Sequence, residues 1–556
     1  MKRRPEALKN IAGRTFDVCV IGGGATGAGC ALDAQLRGFK TVLVDGGDFA
    51  SATSSASTKL IHGGVRYLRE AVTRLDVAQY RVIKRALGER ALMMRRAPHL
   101  VRPLELFIPC FSWFDFLYYR SAMKLYDWIS GRSKLFPSRF VSRTESLRRL
   151  PRLSARAGRL VGTIAYADGQ FDDTRFNLSL VLTFAEAGGE ALNHARVIGF
   201  NKGPDGKLVA AQMEDSLSHR RFTIEARVFV NATGPFSDSV RLLANPDLAP
   251  RLRLSKGIHV LFPLELFEGR DALVVPETED GRVLFAIPWL GRLLVGTTES
   301  ESNLNAEMLV QKSEAEYVLR QLNRYLRAPL TLEQIVSGFA GLRPLVSSGG
   351  NSETKKLIRD HEVESDSESG LISILGGKWT TYRAMAEDTI DRVQSYLGSD
   401  VIVSSTRHHR LCGSQDYSPN YWRALMTDYA LSESSARHLA GKFGTRAPRV
   451  LQLAAREPAL MQPIIVGQAP LRVEIVFAIR EEMAQSIEEI LARRIGLQVY
   501  DWRLSIQAAP VVAFHLAQEL GWSTAEAHDA VEQYAGKMNR MLETIGLAPE
   551  PVPTVG

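Results

Sequence analysis

Three glycines between an apolar run and a segment of helix-forming residues constrain this chain more than any other feature. Residues 16–45 read FDVCVIGGGATGAGCALDAQLRGFKTVLVD, with the spacing G-x-G-x-x-G. The apolar residues before the glycines predict a buried parallel strand, and the residues after them predict a helix. Gly22 permits the tight turn, Gly24 lets a pyrophosphate approach the backbone, and Gly27 lets the helix pack on the strand. The spacing therefore predicts a dinucleotide-binding unit.

The end of the next apolar run supports this interpretation. Residues 41–44 predict a second strand, which ends at Asp45. A carboxylate at this place accepts hydrogen bonds from the ribose hydroxyls of an adenine dinucleotide. The backbone amides at the helix start, around Ala25 and Thr26, would face the pyrophosphate. The motif alone does not distinguish NAD from FAD, because both use it.

Length and composition indicate which class of protein this chain belongs to. The chain has 556 residues, of which 45% are hydrophobic and 23% charged, so it is a globular protein of two or three domains. Its four cysteines have no C-x-x-C spacing, and we expect reduced thiols, no disulfide and no metal site. The basic start is followed by no apolar region of a signal peptide, and no stretch of about 18 apolar residues predicts a membrane span.

Two adjacent segments differ from the rest in composition. Residues 111–130 mix aromatic side chains with Arg120 and Lys124, which is typical of an amphipathic helix at a membrane interface or of a core helix in a substrate domain. Residues 132–159 hold nine Lys or Arg against the single acid Glu145. Such a run is typical of a solvated face, a contact with anionic lipid, or a surface that steers an anionic substrate.

A Ser/Thr-rich loop and two later glycine turns also indicate a ligand. Residues 50–70, ASATSSASTKLIHGGVRYLRE, follow the second predicted strand with small polar side chains, as in a loop that fits closely against a ligand. Gly234 follows another apolar strand, where it lets the backbone approach a cofactor. Gly376 and Gly377 precede Lys378 at a predicted helix start, a place that stabilises negative charge.

Together these motifs resemble those of the FAD-dependent, quinone-linked sn-glycerol-3-phosphate dehydrogenase family. The matching stretches are DVCVIGGGATGAG, ATSSASTKLIHGGVRYL, YADGQFDDTRFNL, VNATGPFSDSV, KGIHV, GLRPL, IRDH and GGKWTTYR. They extend from residue 16 to about 390, and LARRIGLQVYDWR extends the likeness into the C-terminal region. Asp45 is a departure, because many relatives have Glu there, and the shorter acid must lie closer to the ribose.

The resemblance implies an α/β fold: an FAD-binding Rossmann-like domain of the glutathione-reductase/D-amino-acid-oxidase type, interleaved with an α+β substrate domain and followed by an all-helical cap domain. Apolar periodicity and Ser or Thr caps also predict helices in the last part. The expected boundaries are 15–95, 160–250 and 336–395 for the FAD-binding domain, 96–159 and 251–335 for the substrate domain, and 405–548 for the helical domain.

The resemblance implies a non-covalent FAD. The residues expected to bind it come from the glycine turns and the Ser/Thr-rich loop, and they are Gly22, Gly24, Ala25, Thr26, Gly27, Asp45, Thr53, Ser54, Ser55, Lys59, Leu60, Ile61, His62, Gly63, Gly234, Gly377, Lys378, Trp379 and Thr380.

The resemblance also implies a reaction, the oxidation of the C2 alcohol of sn-glycerol 3-phosphate to dihydroxyacetone phosphate, with electrons passing through FAD to membrane quinone. Such an alcohol needs a hydride acceptor, a proton acceptor and cations for the phosphate. His259 is the candidate base, His62 is the second candidate, and Arg343 is a candidate for orienting the hydroxyls. The substrate is expected to be bound by Arg66, Tyr67, Arg343, Arg359 and Lys378.

The expected partners follow from membrane quinone as the electron acceptor. We expect a peripheral protein on the cytoplasmic face of the inner membrane, in contact with an anionic membrane surface and with quinone. The resemblance allows a homodimer, and we expect no nucleic-acid partner. The alternatives are a soluble glycerol-3-phosphate oxidase that uses oxygen, another FAD-dependent oxidase of the same fold, and a non-catalytic flavoprotein.

Overall fold

The computed structural model describes residues 1–64, 77–154, 159–347 and 361–554, which form two β-sheets and sixteen α-helices. The strands are β1 Thr15–Ile21, β2 Thr41–Val44, β3 Leu60–Ile61, β4 Val101–Cys110, β5 Arg139–Ser142, β6 Gly162–Phe171, β7 Glu190–Leu192, β8 Ala195–Lys202, β9 Leu208–Asp215, β10 Arg221–Asn231, β11 Leu252–Pro263, β12 Ala272–Val275, β13 Leu284–Trp289, β14 Arg292–Gly296, β15 Ser300–Ser302, β16 Ser337–Val346, β17 His361–Ser365 and β18 Ile372–Gly376. The helices are α1 Arg4–Ile11, α2 Ala25–Leu36, α3 Val77–Arg96, α4 Trp113–Ser130, α5 Arg143–Arg149, α6 Asp173–Glu186, α7 Ser237–Ala244, α8 Lys312–Asn323, α9 Tyr382–Leu397, α10 Tyr421–Asp428, α11 Glu433–Phe443, α12 Ala447–Gln452, α13 Arg472–Glu482, α14 Leu497–Tyr500, α15 Trp502–Leu520 and α16 Thr524–Thr544.

The first sheet contains the predicted dinucleotide unit. Its strand order is β17-β18-β10-β1-β2-β7, and β9 and β8 extend it from β10. β1 lies in parallel between β2 and β10, as the continuous apolar runs predict for strands that are covered on both faces. α2 begins directly after Gly24, its N-cap, and packs against α6 and α9. The strand, turn and helix predicted around the three glycines are therefore confirmed.

The second sheet has the order β15-β11-β14-β13-β12-β4-β6-β3, with β16 on β11 and β5 on β6. β6 and β16 were expected in the FAD-binding segments 160–250 and 336–395, but both belong to this second sheet. The reason is their antiparallel pairing with β4 and β11 over ten residues each, which sequence neighbourhood does not reveal. We therefore propose that these two FAD-binding segments begin after Phe171 and after Val346.

The C-terminal region is helical, as predicted. Between residues 421 and 544 it holds α10 to α16 and a π-helix, Glu489–Ile495. Its helices share a hydrophobic core with the second sheet, and this core includes Trp502 of α15 together with residues of β11 and β14. Arg494 of the π-helix donates a hydrogen bond to Asp48 Oδ1 at 2.8 Å. The helical region therefore also contacts the loop that follows β2.

The cysteines are free thiols, as expected from their spacing. Cys19 and Cys30 lie within the dinucleotide unit and are fully buried. Burial raises the pKa of both thiols to about 12. They therefore stay protonated at neutral pH and act as small apolar residues of the core.

Candidate active site

A cavity of about 640 Å³ opens at the carboxyl ends of β1, β2 and β10. This edge of a parallel sheet is the usual place for a dinucleotide. Of the residues predicted to bind the cofactor, those that line this dinucleotide cavity are Gly22, Gly24, Ala25, Thr26, Asp45, Thr53, Ser54, Gly234, Gly377, Lys378 and Trp379.

The glycine turn has the shape that a pyrophosphate requires. Gly22 has a φ of 108°, and a Cβ there would lie 2.6 Å from the carbonyl oxygen of Ala232. A Cβ on Gly27 would lie 1.8 Å from the carbonyl oxygen of Gly22, so Gly27 serves the packing of α2 on the strand. Ser54 Oγ accepts a hydrogen bond from Ala25 N at 2.9 Å, which places a polar group at the helix N-terminus. These residues fit the anionic part of a dinucleotide.

Asp45 lies where a ribose-binding carboxylate is expected. It follows the last residue of β2 and accepts hydrogen bonds from Gly23 N at 2.6 Å and Gly47 N at 2.8 Å. Burial raises the pKa of Asp45 to about 6, against the opposing effect of these two amides. The carboxylate is thus held by backbone at the wall of the cavity.

The Ser/Thr-rich loop is fixed by one buried acid. Asp173, at the start of α6, accepts hydrogen bonds from Lys59 Nζ at 2.6 Å and from Ser57 Oγ at 2.7 Å. Trp379 Nε1 donates to the Ser54 carbonyl oxygen at 2.9 Å and so joins this loop to the glycine turn after β18. Lys59 is 1% exposed, and it holds the loop in place.

The remaining residues predicted to bind the cofactor lie outside the walls of the dinucleotide cavity. β3 pairs with β6 in the second sheet, so Leu60 and His62 face a different cavity. The others outside these walls are Gly27, Ser55, Lys59, Ile61, Gly63 and Thr380. The pairing of so short a strand cannot be read from the sequence.

A second cavity, of about 330 Å³, lies between the second sheet and α4. We call it the substrate cavity. Its walls include Thr58, Leu60, His62, Asp168, Thr298 and Arg343. Two residues predicted for substrate chemistry, His62 and Arg343, therefore line one space.

Arg343 of β16 is held at the wall of the substrate cavity. Its Nη2 donates to Thr297 Oγ1 at 2.7 Å, and its Nη1 donates to the Thr298 carbonyl oxygen at 3.1 Å. A Cβ on Gly257 would lie 2.2 Å from Arg343 Nη2, so the glycine leaves the space that the guanidinium fills. A fixed guanidinium can bind the phosphate or the hydroxyls of a small substrate.

His62 is a half-buried imidazole at the wall of the substrate cavity. Burial and the positive charges of Lys378 and Arg90 lower its pKa to about 4. The ring is therefore neutral at neutral pH and can accept a proton. Lys378 lines the dinucleotide cavity. Pro344 lines the same cavity while its neighbour on β16, Arg343, lines the substrate cavity, so the two cavities approach each other along this strand.

His259, the first candidate base, does not line the substrate cavity. The ring is 1% exposed, stacks on Phe339 at 4.9 Å and lies 3.0 Å, through Nε2, from Thr58 Oγ1. Burial and the charges of Arg343 and Lys59 hold its pKa well below its ordinary value. It reaches the cavity through the hydroxyl of Thr58.

Three predicted substrate ligands, Arg66, Tyr67 and Arg359, lie outside the described residues. The structure adds three acids to the cavity wall that sequence reasoning did not single out: Glu277, Glu299 and Asp168. Asp168 belongs to β6. The signal for it was present, because Asp168 is the one charged residue in the otherwise uncharged strand GTIAYADGQF.

The aromatic segment forms α4, whose two sides differ in exposure. A capping box of Ser112 and Asp115 starts the helix. Tyr118, Tyr119 and Met123 line the substrate cavity. The opposite side carries exposed apolar residues, among them Trp113 at 67%, Phe114 at 77%, Leu117 at 60% and Trp128 at 69% exposure. The core-helix interpretation thus describes one side of the helix, and the membrane-interface interpretation stays a prediction for the other.

The basic segment is partly neutralised. Arg148 pairs with Glu145 at 2.7 Å, Arg149 with Asp271 at 2.5 Å and Arg152 with Glu268 at 2.8 Å. By contrast, Arg132, Lys134 and Arg143 are exposed and form no ion pair within the described ranges. Together with the exposed Arg159, these three carry the uncompensated charge of the part of the segment that the structure describes.

Comparison with known protein families covers most of the chain. Residues 17–383 match the family described as FAD dependent oxidoreductase. Residues 404–527 match the C-terminal domain of alpha-glycerophosphate oxidase.

Individual relatives are similar to this chain over nearly its whole length. The chain is 39% identical over 539 residues to the probable mitochondrial glycerol-3-phosphate dehydrogenase of Caenorhabditis elegans, spanning 95% of this chain and 74% of the relative. It is 38% identical over 528 residues to the mitochondrial glycerol-3-phosphate dehydrogenase of Rattus norvegicus, spanning 93% and 72%. Among solved structures, the glycerol-3-phosphate dehydrogenase from Bacillus halodurans complexed with FAD is similar with a TM-score of 0.78 and 29% identity, over 100% of this chain and 99% of that one.

Proposed function

Because the chain belongs to the FAD-dependent glycerol-3-phosphate dehydrogenase family, we propose that it oxidises sn-glycerol 3-phosphate to dihydroxyacetone phosphate. The observation that carries this proposal is that Pro344 and Arg343, neighbours on β16, line two different cavities, one shaped for a dinucleotide and the other containing His62. FAD is the cofactor, and we infer that it is bound without a covalent link. When bound, it supplies the acceptor for the hydride that leaves C2.

Within the substrate cavity, the chain's own residues bind, orient and deprotonate the alcohol. Arg343 provides a fixed guanidinium for the phosphate or the hydroxyls, and Lys378 provides a second positive charge. Arg66, Tyr67 and Arg359 remain proposed ligands on sequence grounds. His62 is the proposed proton acceptor, because it lines the cavity and is neutral. A bound phosphate dianion raises the proton affinity of this imidazole, which the neighbouring cations otherwise lower.

We infer that the electrons leave to a quinone. The support is the similarity to the mitochondrial dehydrogenases, together with an exposed apolar helix face where a lipid-soluble acceptor can be met. Under nitrogen, we expect steady turnover of glycerol 3-phosphate with a short-chain ubiquinone analogue. In air without quinone, we expect the rate of hydrogen peroxide formation to be at most about a tenth of that rate. Equal rates would favour the soluble oxidase.

We also infer a peripheral contact with an anionic membrane surface, on the cytoplasmic side of the inner membrane. Among the described residues, no helix has the length and apolar character of a membrane span. The outer face of α4 offers Trp113, Phe114 and Leu117 as an apolar element, and Arg132 and Lys134 follow the helix as a cationic element. Reversible membrane binding requires two such elements.

This contact predicts the outcome of flotation with anionic liposomes at low salt. The wild type is expected to float, and Trp113→Ser/Phe114→Ser/Leu117→Ser is expected to stay mostly in the soluble fraction. Val401→Ser/Val403→Ser is the matched control, because these residues are 85% and 80% exposed but lie outside α4. If the triple variant floats like the wild type, α4 is not the contact, and if the wild type does not float, the membrane proposal fails.

A further inference from the structure

Asp168 is a buried acid at the wall of the substrate cavity, and only one of its two carboxylate oxygens accepts hydrogen bonds from the described residues. Its Oδ1 accepts a hydrogen bond from Tyr126 OH at 2.8 Å and pairs with the guanidinium of Arg90. Its Oδ2 accepts no hydrogen bond from any residue that the structure describes, although the residue is only 1% exposed. A buried carboxylate oxygen without a donor is costly, so it indicates a donor that is absent from the resting arrangement.

His62 is the side chain placed to supply that donor. β3 pairs antiparallel with β6, with Leu60 opposite Gln170 and Ile61 opposite Gly169. Continuing this register by one residue sets His62 opposite Asp168, and directly opposed residues project to the same face. Both residues line the substrate cavity.

A chain of hydrogen bonds through Tyr126 also links the backbone next to His62 with Asp168. Gly63 N donates to Tyr126 OH at 2.9 Å, and this hydroxyl donates in turn to Asp168 Oδ1. Two hydrogen bonds therefore join the carboxylate of Asp168 to the residue that follows His62. The backbone of His62 is held with respect to Asp168 from α4, while its ring remains open to the cavity.

We propose that Asp168 is a positioning residue for His62: its Oδ2 accepts the N–H of the imidazole and balances the positive charge that His62 gains from the substrate. The proposal rests on the proposed function. In the balanced step, the C2–H bond breaks and its electron pair leaves with the hydride to the flavin. The O–H proton of the same carbon goes to the free nitrogen of His62, and the C2–O bond becomes a carbonyl.

The electrostatics of the cavity require such a counter-charge. Lys378 and Arg90 both oppose protonation of His62. Burial raises the pKa of Asp168 to about 6, while Arg90 and Tyr126 act in the opposite direction, so the acid is ionised at neutral pH. Tyr166 also faces this acid, and the same cavity wall includes the cations Arg343 and Arg282 and the acids Glu277 and Glu299. Asp168 is thus an anion among these groups that can compensate an imidazolium.

A double-mutant cycle in the reductive half-reaction tests this pairing. Flavin reduction by glycerol 3-phosphate would be followed in anaerobic stopped flow for wild type, Asp168→Asn, His62→Asn and the double variant. We expect Asp168→Asn to slow reduction about 30-fold or more, with the dissociation constant of the substrate changed less than about threefold. We expect the double variant to be no slower than His62→Asn, because the carboxylate acts through the imidazole.

The pH profile separates this role from a purely structural one. In Asp168→Asn, the acidic limb of the reduction rate is expected to move to lower pH, because the imidazolium has lost its counter-charge. Asp168→Glu keeps the charge and is expected to keep the limb near its wild-type pH. Asp33→Asn is the matched control, a buried acid paired with Arg37 away from both cavities, and it should leave the profile unchanged.

Two results would overturn the pairing: losses that multiply in the double variant, or a wild-type rate and pH profile in Asp168→Asn. If Asp168→Asn does not fold, Asp168→Glu provides the test in its place. The pairing is overturned if the acidic limb of the reduction rate in Asp168→Glu shifts to the low pH that is expected for Asp168→Asn. The proposed function fails separately, when glycerol 3-phosphate does not reduce the flavin of the wild type.

Discussion

Gly24→Val is expected to give a folded protein that contains no flavin. Gly24 is the N-cap of α2 and lines the dinucleotide cavity, and a Cβ there would lie 2.9 Å from Ser54 Oγ. The branched side chain would occupy the space in which a pyrophosphate meets the amides of the helix start. Each charge-assisted hydrogen bond contributes about 1.5–3 kcal/mol, so losing two of them weakens binding by about 100-fold or more.

The ratio of flavin to protein absorbance after gel filtration measures this effect. Gly536→Val is the matched control, because a Cβ at this position in α16 meets nothing within 4 Å. It should retain the flavin of the wild type. A Gly24→Val protein that folds and keeps its full yellow colour would falsify the assignment of the cavity.

Arg343→Ala is expected to lower kcat/KM for glycerol 3-phosphate by about 10- to 150-fold. The size follows from the loss of one charge-assisted contact, about 1.5–3 kcal/mol. Arg343→Lys keeps the charge without the planar fork and should fall between Ala and wild type. Because the guanidinium donates to Thr297 Oγ1 and to the Thr298 carbonyl oxygen, its removal also takes one donor from each of these two groups.

Comparing two substrates shows what Arg343 binds. If it holds the phosphate, the loss is larger for glycerol 3-phosphate than for glycerol, and if it orients the hydroxyls, the losses are equal. Arg437→Ala is the control, since this residue lies on α11 in an exposed pair with Glu433. Unchanged kinetics in Arg343→Ala with both substrates would remove Arg343 from the site.

The dinucleotide unit could be predicted because its signals are local. The glycine spacing, the apolar runs and Asp45 all lie within thirty consecutive residues, and each has one physical reason. The helical C-terminal region was predictable for the same reason, from periodicity and caps. The pairing of β6 and β16 was not, because the partner of a strand lies far away in the sequence.

The substrate cavity likewise depends on the pairing of strands that are distant in the sequence. His62 and Asp168 are 106 residues apart, and only the contact of β3 with β6 brings them to one face. Likewise, KGIHV marked His259 as the stronger base candidate, yet Thr58 lies between its ring and the cavity. Residue type and motif indicated residues around one cavity, while packing decides which of their side chains line it.

Ion pairs with acids reduce the positive charge of the basic segment. Nine cations in residues 132–159 suggest one charged surface. Four of the arginines pair with acids, and two of those acids, Asp271 and Glu268, lie more than a hundred residues away. Of the cations that remain, Arg132 and Lys134 lie near the end of α4.

The most direct test of the account is anaerobic titration of the purified protein, followed by its flavin absorbance. The account predicts that sn-glycerol 3-phosphate bleaches the oxidised flavin band in full, with one dihydroxyacetone phosphate formed per flavin, and that glycerol at the same concentration leaves most of it oxidised. Bleaching by an amino acid but not by glycerol 3-phosphate, or no bleaching by either, would contradict it.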